Sequence, residues 1–335
     1  MKLTCPAPAK LNLFLHVVGR RPDGYHLLQT LFRFIDLHDT LHFSLREDGA
    51  VRRTNAVEGV AEEQDLCVRA ARLLQGETGC ALGVDIAVEK RIPMGGGLGG
   101  GSSDAATTLI ALNRLWSLGL SRPRLMELGL RLGADVPVFI FGENAFAEGV
   151  GEKLQAYPLA DAWYVVLFPP VHVPTAEIFA HPELTRDTVS ITMRALAKWQ
   201  LRHVTGRTTS HSTRRANDAR QVAGYDEVSR LREQLPGRSS RTEGLRPTVS
   251  ERPFEQQLRN DLQSVVCGLY PEVGRYITWL GNFGKAMMTG SGACVFAEFA
   301  SRSQAEAVLR QLPHGMRGVV AQGLARHPLH DWVLD

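Results

Sequence analysis

Pro93-Met94-Gly95-Gly96-Gly97-Leu98-Gly99-Gly100-Gly101-Ser102-Ser103-Asp104 is the stretch on which the fold turns. Six glycines in seven positions remove the Cβ atoms that would hold a backbone away from a ligand. Successive N–H groups can then face one concavity and receive anionic oxygens. Upstream, Val84 to Glu89 alternates as a strand does. Downstream, Ala105, Leu109, Leu112 and Trp116 recur at helical spacing, so a helix is expected from near Ser103 to Trp116. Its N-terminus would add free N–H groups and a positive dipole end, and Ser102 and Ser103 could cap it or bond phosphate. A flexible surface linker is the plain alternative, but a strand entering and a helix leaving at once argue for a phosphate-binding loop. Valine at Gly97 or Gly100 should block positive φ and close approach of phosphate.

Familiar phosphate motifs do not fit. Gly95, Gly97 and Gly100 satisfy GxGxxG, but a dinucleotide site needs an acid ~20 residues on. The first acid after Asp104 is Glu127, inside a second expected helix from Arg122 to Gly133. No Lys follows the glycines as a P-loop requires, and no HRD or DFG set marks a protein kinase.

Further out, Lys10 to Val18 reads as a strand, and Arg21-Pro22-Asp23-Gly24 as a turn. Leu27 to Leu37 is apolar and suits strand or helix, whereas Thr40 to Arg46 alternates as a strand. Glu63 to Gly76 is an amphipathic helix with Leu66, Ala70 and Leu73 on one side. Trp163 to Phe168 opens a second half as a buried strand. Arg275 to Gly281, Cys294 to Phe299 and Gln304 to Leu312 then read as helix, strand, helix. Mixed elements of this kind imply an α+β or α/β architecture. At ~100–200 residues per domain, a chain of 335 suggests two domains or one large one.

Composition narrows the function classes. Hydrophobic residues are 44% and charged residues 22%, enough for a real core. The net charge of +3 does not suggest a nucleic-acid binder. The longest apolar run, Trp163 to Val173, is broken by Pro169 and Pro170, so no membrane partner is expected. Lys10 and Asn12 interrupt the N-terminal apolar stretch, so no signal peptide is read. Five cysteines without a CxxC pair fit reduced, cytoplasmic usage, and no Cys or His cluster has zinc-ligand spacing. One block departs from the rest. Leu201 to Arg252 holds 11 Arg, no Lys and 6 acidic residues, without apolar periodicity. It reads as a poorly ordered basic insertion, either a solvated linker or a contact for an anionic partner.

Two further segments flank the loop in sequence: Pro6-Ala7-Pro8-Ala9-Lys10-Leu11-Asn12-Leu13 and Met288-Thr289-Gly290-Ser291-Gly292-Ala293-Cys294. With the glycine loop between them, they resemble the three signature motifs of the GHMP small-molecule kinases. The implied fold is α+β, a two-domain GHMP-kinase-like fold with the active site in the cleft between domains. Residues 1–155 would carry the loop and the catalytic residues. Residues 160–335 would carry the third motif, with the insertion at 201–252. Four more pieces narrow the resemblance to one branch of the family. They are Arg21-Pro22-Asp23-Gly24-Tyr25-His26, Leu132-Gly133-Ala134-Asp135-Val136-Pro137, Val173-Pro174-Thr175 with Phe179, and Asn260-Asp261-Leu262. That branch phosphorylates a hydroxyl of a branched tetritol joined to cytidine diphosphate, on the non-mevalonate route to isoprenoid precursors.

The resemblance implies roles. ATP is the phosphoryl donor, held along Pro93 to Ser103, with Mg2+ expected alongside it. No carboxylate stands out as a magnesium ligand, and Ser102 is a candidate. Asp135 is the base that takes the hydroxyl proton, and Lys10 is the cation beside it. By residue type alone, Asp135 also suits a helix N-cap before Val136-Pro137, and Lys10 could be a surface lysine. Asn12, Tyr25, His26, Thr175 and Phe179 are implied substrate contacts, with Tyr25 and Phe179 as faces for the cytosine and His26 as its edge partner. Phe179 as core and Tyr25 as a plain surface aromatic is the competing reading. The third motif would buttress the loop, or be a simple turn. A GHMP kinase for another polyol or a mevalonate-like alcohol, and a non-catalytic nucleotide-binding protein, remain the alternatives.

Overall fold

The computed structural model describes residues 1–198 and 258–335. The basic block at 201–252 lies outside the described residues. Residues 1–190 and 259–335 form one compact unit, and 191–258 another. The architecture below is that of the first.

Two long antiparallel strands open the chain, β1 (Lys2–Arg20) and β2 (His26–Arg46). Between them is the expected turn, closed by Gly24 N–H donating to Arg21 O at 3.0 Å. The segments read separately from the sequence are parts of these two strands. Leu27 to Leu37 shows no alternation because residues 29–35 of β2 are all buried, so neither face is left to solvent. Pro6 and Pro8 are tolerated because β1 ladders with β2 alone, leaving no second neighbour in need of their N–H groups.

The other edge of β2 is shared by three strands: β5 (Ala145–Glu148) at 30–32, β10 (Gly318–Leu324) at 34–35, and β4 (Gly83–Glu89) at 40–46. β3 (Val51–Arg53) runs parallel to β4, and β6 (Lys153–Ala156) pairs with β5. Against β1 and β2 pack α1 (Leu66–Thr78), α2 (Gly100–Leu115), α3 (Arg122–Leu130) and α4 (Val136–Phe141), enclosing one apolar cluster. The buried face of α1 is Cys67, Val68, Ala70, Ala71 and Leu74, with Leu66 and Leu73 at its margin, a face slightly rotated from the expected one.

The stretch 155–160 runs from the end of β6 toward β7 (Trp163–Leu167), where the chain passes to the other end of the sheet. There β10, β7, β9 (Val295–Phe299) and β8 (Met287–Met288) follow in order. A second apolar cluster forms with α5 (Thr175–Ala180), α6 (Gln263–Leu269), α7 (Pro271–Gly281) and α8 (Arg302–Leu309). β10 is the seam: residues 318–322 pair with β7 and 323–324 with β2. A third cluster lies along that seam, with Leu11, Ile35, Leu98, Tyr164 and Phe296. Among the described residues no helix is long and apolar enough to cross a membrane.

Candidate active site

The glycine loop joins β4 to α2. Gly95, Gly97 and Gly99 take positive φ of 67°, 76° and 74°. Gly100 does not: it is the first residue of α2, with Gly99 as N-cap. The helix therefore starts three residues before the expected place, and Ser102 and Ser103 lie in its first turn rather than capping it. Side-chain-free residues carry no helical signature in sequence, which hid this first turn. Gly97 thus needs its positive φ and Gly100 does not.

Close packing is a second reason for the glycines. A Cβ on Gly97 would lie 2.2 Å from Thr289 O, and one on Gly96 2.5 Å from Cys294 Sγ. Gly290, at φ 56°, meets Gly97 O at 2.8 Å in the same sense, and Cys294 N–H donates to Gly96 O at 3.0 Å. The segment Thr289 to Cys294 therefore lies backbone to backbone against the loop, as a buttress does.

Lys10 is almost fully buried in β1. Its Nζ donates to Asn12 Oδ1 at 2.6 Å and Gly97 O at 3.0 Å, and lies 3.3 Å from Asp135 Oδ2. Asn12 holds this arrangement. Its Nδ2 donates to Thr30 Oγ1 at 2.9 Å, and its N–H donates to Thr289 Oγ1 at 3.0 Å. Asp135 occupies the N-cap position of α4 yet makes no side-chain cap bond; its carboxylate, 39% exposed, turns toward Lys10 instead. Residue type alone also suits a cap, and the backbone takes that position while the side chain does not make the cap bond.

These groups open on a cleft of about 1010 Å³. Its lining includes Lys10, Asn12, Tyr25, His26, Asp135, Thr175 and Phe179, and Pro93 to Ser102 apart from Leu98. The side chains of Leu98 and Ser103 are seated in the interior. Thr175 Oγ1 and Ser291 Oγ are 2.7 Å apart at the cleft wall. Tyr25 is 63% exposed, and the His26 ring lies on Phe179 with centroids 5.1 Å apart.

Several cleft residues carry no sequence motif. Lys90 Nζ bridges Asp39 Oδ2 at 2.5 Å and Asp104 Oδ2 at 2.7 Å beneath the loop. Asp39 Oδ1 also accepts from Ile92 N–H at 2.9 Å, tying the start of the loop to β2. Burial pushes the Asp104 carboxyl up to about 7 against the pull of Lys90, with Asp39 adding to the rise. Burial works to lower Lys90, but Asp104 and Asp39 outweigh it and leave the ammonium raised. Val57, Val60, Leu66 and Val88 add an apolar stretch to the same cleft. A lysine after a strand and two isolated aspartates gave no signal, because what joins them is the fold.

Comparison with known proteins gives consistent matches. The GHMP kinases N terminal domain model matches residues 65–143, and the GHMP kinases C terminal model matches 250–318. A protein of Nitrosospira multiformis named 4-diphosphocytidyl-2-C-methyl-D-erythritol kinase is 52% identical, over 99% of this chain and 94% of its own length. A protein of the same name from Thiobacillus denitrificans is 53% identical, over 99% of both chains. A crystal structure of 4-(cytidine 5'-diphospho)-2C-methyl-D-erythritol kinase superimposes with a TM-score of 0.70 at 29% identity, covering 96% of this chain and 99% of that one. The mevalonate kinase of Methanococcus jannaschii shares the fold alone, at TM-score 0.58 and 15% identity over 97% and 98% of the two chains.

Proposed function

Because the chain belongs to the GHMP kinase family, we propose that its cleft transfers the γ-phosphoryl group of ATP to the 2-hydroxyl of 4-diphosphocytidyl-2-C-methyl-D-erythritol. The fold is the two-domain GHMP kinase fold, and the activity is that of a kinase acting on an alcohol. The observation that carries the reading is the Lys10–Asp135 pair, 3.3 Å apart at the edge of the glycine loop. A carboxylate and an ammonium meet there beside backbone N–H groups suited to phosphate.

The chemistry follows from that placement. The acceptor hydroxyl gives its proton to the Asp135 carboxylate as its oxygen attacks the γ-phosphorus, and the bond to the β-phosphate oxygen breaks to release ADP. Lys10, fixed by Asn12 and Gly97 O, sets a positive charge beside both the carboxylate and the moving group. Asn12, on the cleft wall, is a substrate contact and also holds Lys10 in place. The loop N–H groups and the first turn of α2 take the phosphate oxygens, and the apolar stretch of Val57, Val60, Leu66 and Val88 suits a purine ring. Tyr25, His26 and Phe179 receive the cytosine, and Thr175 lies beside the acceptor.

Magnesium would accompany ATP and neutralise phosphate charge. Ser102, on the cleft wall at the first turn of α2, and the Asp104 carboxylate, whose Oδ1 is buried without a hydrogen-bond partner, are the residues that would hold it. Among the described residues no group of three or more His, Cys, Asp or Glu is placed for a metal. Phosphate oxygens and water would supply its other ligands. The five cysteines are unpaired, which suits a reducing cytoplasm.

The test is ADP release with the cytidine substrate, with mevalonate, and with no acceptor. Turnover with the cytidine substrate alone supports the reading. Equal or better turnover with mevalonate would assign the cleft to another alcohol, and no turnover at all to nucleotide binding without catalysis.

A further inference from the structure

We propose that Arg186 is a positioning residue for the pyrimidine: it sets the tautomer of His26 so that the ring offers the base an Nδ1–H donor. The proposal rests on the cytidine reading of the cleft. Arg186 Nε donates to His26 Nε2 at 3.1 Å. The rest of the guanidinium is held by three carbonyls: Leu184 O at 3.0 Å, Phe179 O at 3.0 Å and His181 O at 2.8 Å. A guanidinium with four directed bonds cannot swing away, and arginine has donors only. His26 Nε2 must therefore accept, which places the proton of the neutral imidazole on Nδ1.

The same geometry disfavours the imidazolium, since its Nε2–H would point at another N–H. Burial, then Arg186, then Arg20 hold the His26 pKa below its ordinary value. Among the described residues those two arginines are the charged groups that act on the ring, and Phe179 of α5, packed on it, is neutral. The contact thus favours His26 as a neutral, one-way donor. Cytosine presents O2 and N3 as adjacent acceptors, and a fixed N–H donor matches that edge. Because the guanidinium also grips Phe179 O, one side chain sets both the edge contact and the aromatic face of the base site.

Loss of Arg186 frees the proton to sit on either nitrogen of the neutral ring. Acid then restores the donor, because an imidazolium carries N–H on both nitrogens. Arg186→Met should raise the KM for the cytidine substrate about three- to tenfold, the worth of one hydrogen bond, and shift the KM for ATP by less than about twofold. In that variant the cytidine KM should recover as pH falls from about 7.5 to about 5.5, while the parent stays flat. Arg186→Lys, which keeps a donor, should lie between the two. In the unaltered protein, ¹⁵N-histidine NMR should show His26 as the Nδ1–H tautomer and not as imidazolium at pH about 6; His26→Gln assigns the signal by its disappearance. An Nε2–H tautomer in the parent, or an Arg186→Met defect with no acid recovery, would overturn the proposal. Failure of the parent to turn over the cytidine substrate would overturn the function instead, and the NMR result would still decide the tautomer.

Discussion

At the scale of single residues, Asp135 stands at the point where two readings of one side chain diverge. Its backbone caps α4, and its carboxylate faces Lys10. Asp135→Asn keeps the shape and removes the proposed proton acceptor. Turnover should fall by about 10²–10⁴-fold, typical of general-base loss, with ATP affinity by calorimetry unmoved. Parental turnover would reduce Asp135 to a helix-end residue. Tyr25 offers the complementary case. It is largely exposed at the cleft, so its removal costs the core little. Tyr25→Ala should weaken the cytidine substrate by ~1–3 kcal/mol, the usual worth of a stacked base, and leave ATP affinity nearly unchanged. Equal losses for both ligands would place the cytosine elsewhere.

At the scale of elements, the loop and the third motif act as one piece. Gly97→Val puts a β-branched side chain at φ 76° and into Thr289 O, so it should abolish ATP binding in calorimetry while the circular dichroism spectrum stays near that of the parent. Gly290→Ala presses the same contact from the other side, at φ 56° and 2.8 Å from Gly97 O. It should lower ATP affinity by tenfold or so, and its effect should not add to that of Gly97→Ala, because both relieve one clash by moving the same two backbones. Additive losses would mean that the motifs are energetically separate. This pair also marks what a sequence conceals. Composition made the glycines legible as a candidate phosphate loop, but not the room they make for residues nearly two hundred positions away.

At the scale of the molecule, the chain end returns to lock the first half. Arg122, buried at the start of α3, donates to Ile140 O, Phe141 O, His330 O and Val333 O and pairs with Asp335. Beside this clasp His327 is 2% exposed, with Nδ1 accepting from Leu329 N–H at 3.1 Å. Burial first, then His330 and Arg122, lower its pKa to about 3. Unfolded, the ring titrates near its ordinary 6.5. Between those values the unfolded chain binds a proton that the folded chain refuses, so stability is full above about 6.5 and drains as pH falls toward about 3. His327→Asn keeps an acceptor for Leu329 and removes the titration. Its urea midpoint should therefore fall less than the parent's between pH about 7 and about 5. Parallel midpoints would assign the acid sensitivity to other groups.

By itself the sequence determined what depends on neighbours in the chain. The glycine run, the hairpin turn at Arg21 to Gly24, the alternation of β4 and the helical spacing of α2 are all local patterns, and the ordered trio of motifs carried the family. The tertiary structure decided what depends on distant partners. It ran β2 as one strand through a segment whose two buried faces erased its period, and began α2 at Gly100, where glycine has no side chain to announce a helix. It turned Asp135 to Lys10, brought Asp39 and Asp104 to Lys90, and set Arg186 on His26, a residue 160 positions away. Periodicity records which face of an element is buried, whereas a buried charge or a ring nitrogen takes its partner from whatever the packed chain brings within ~3 Å.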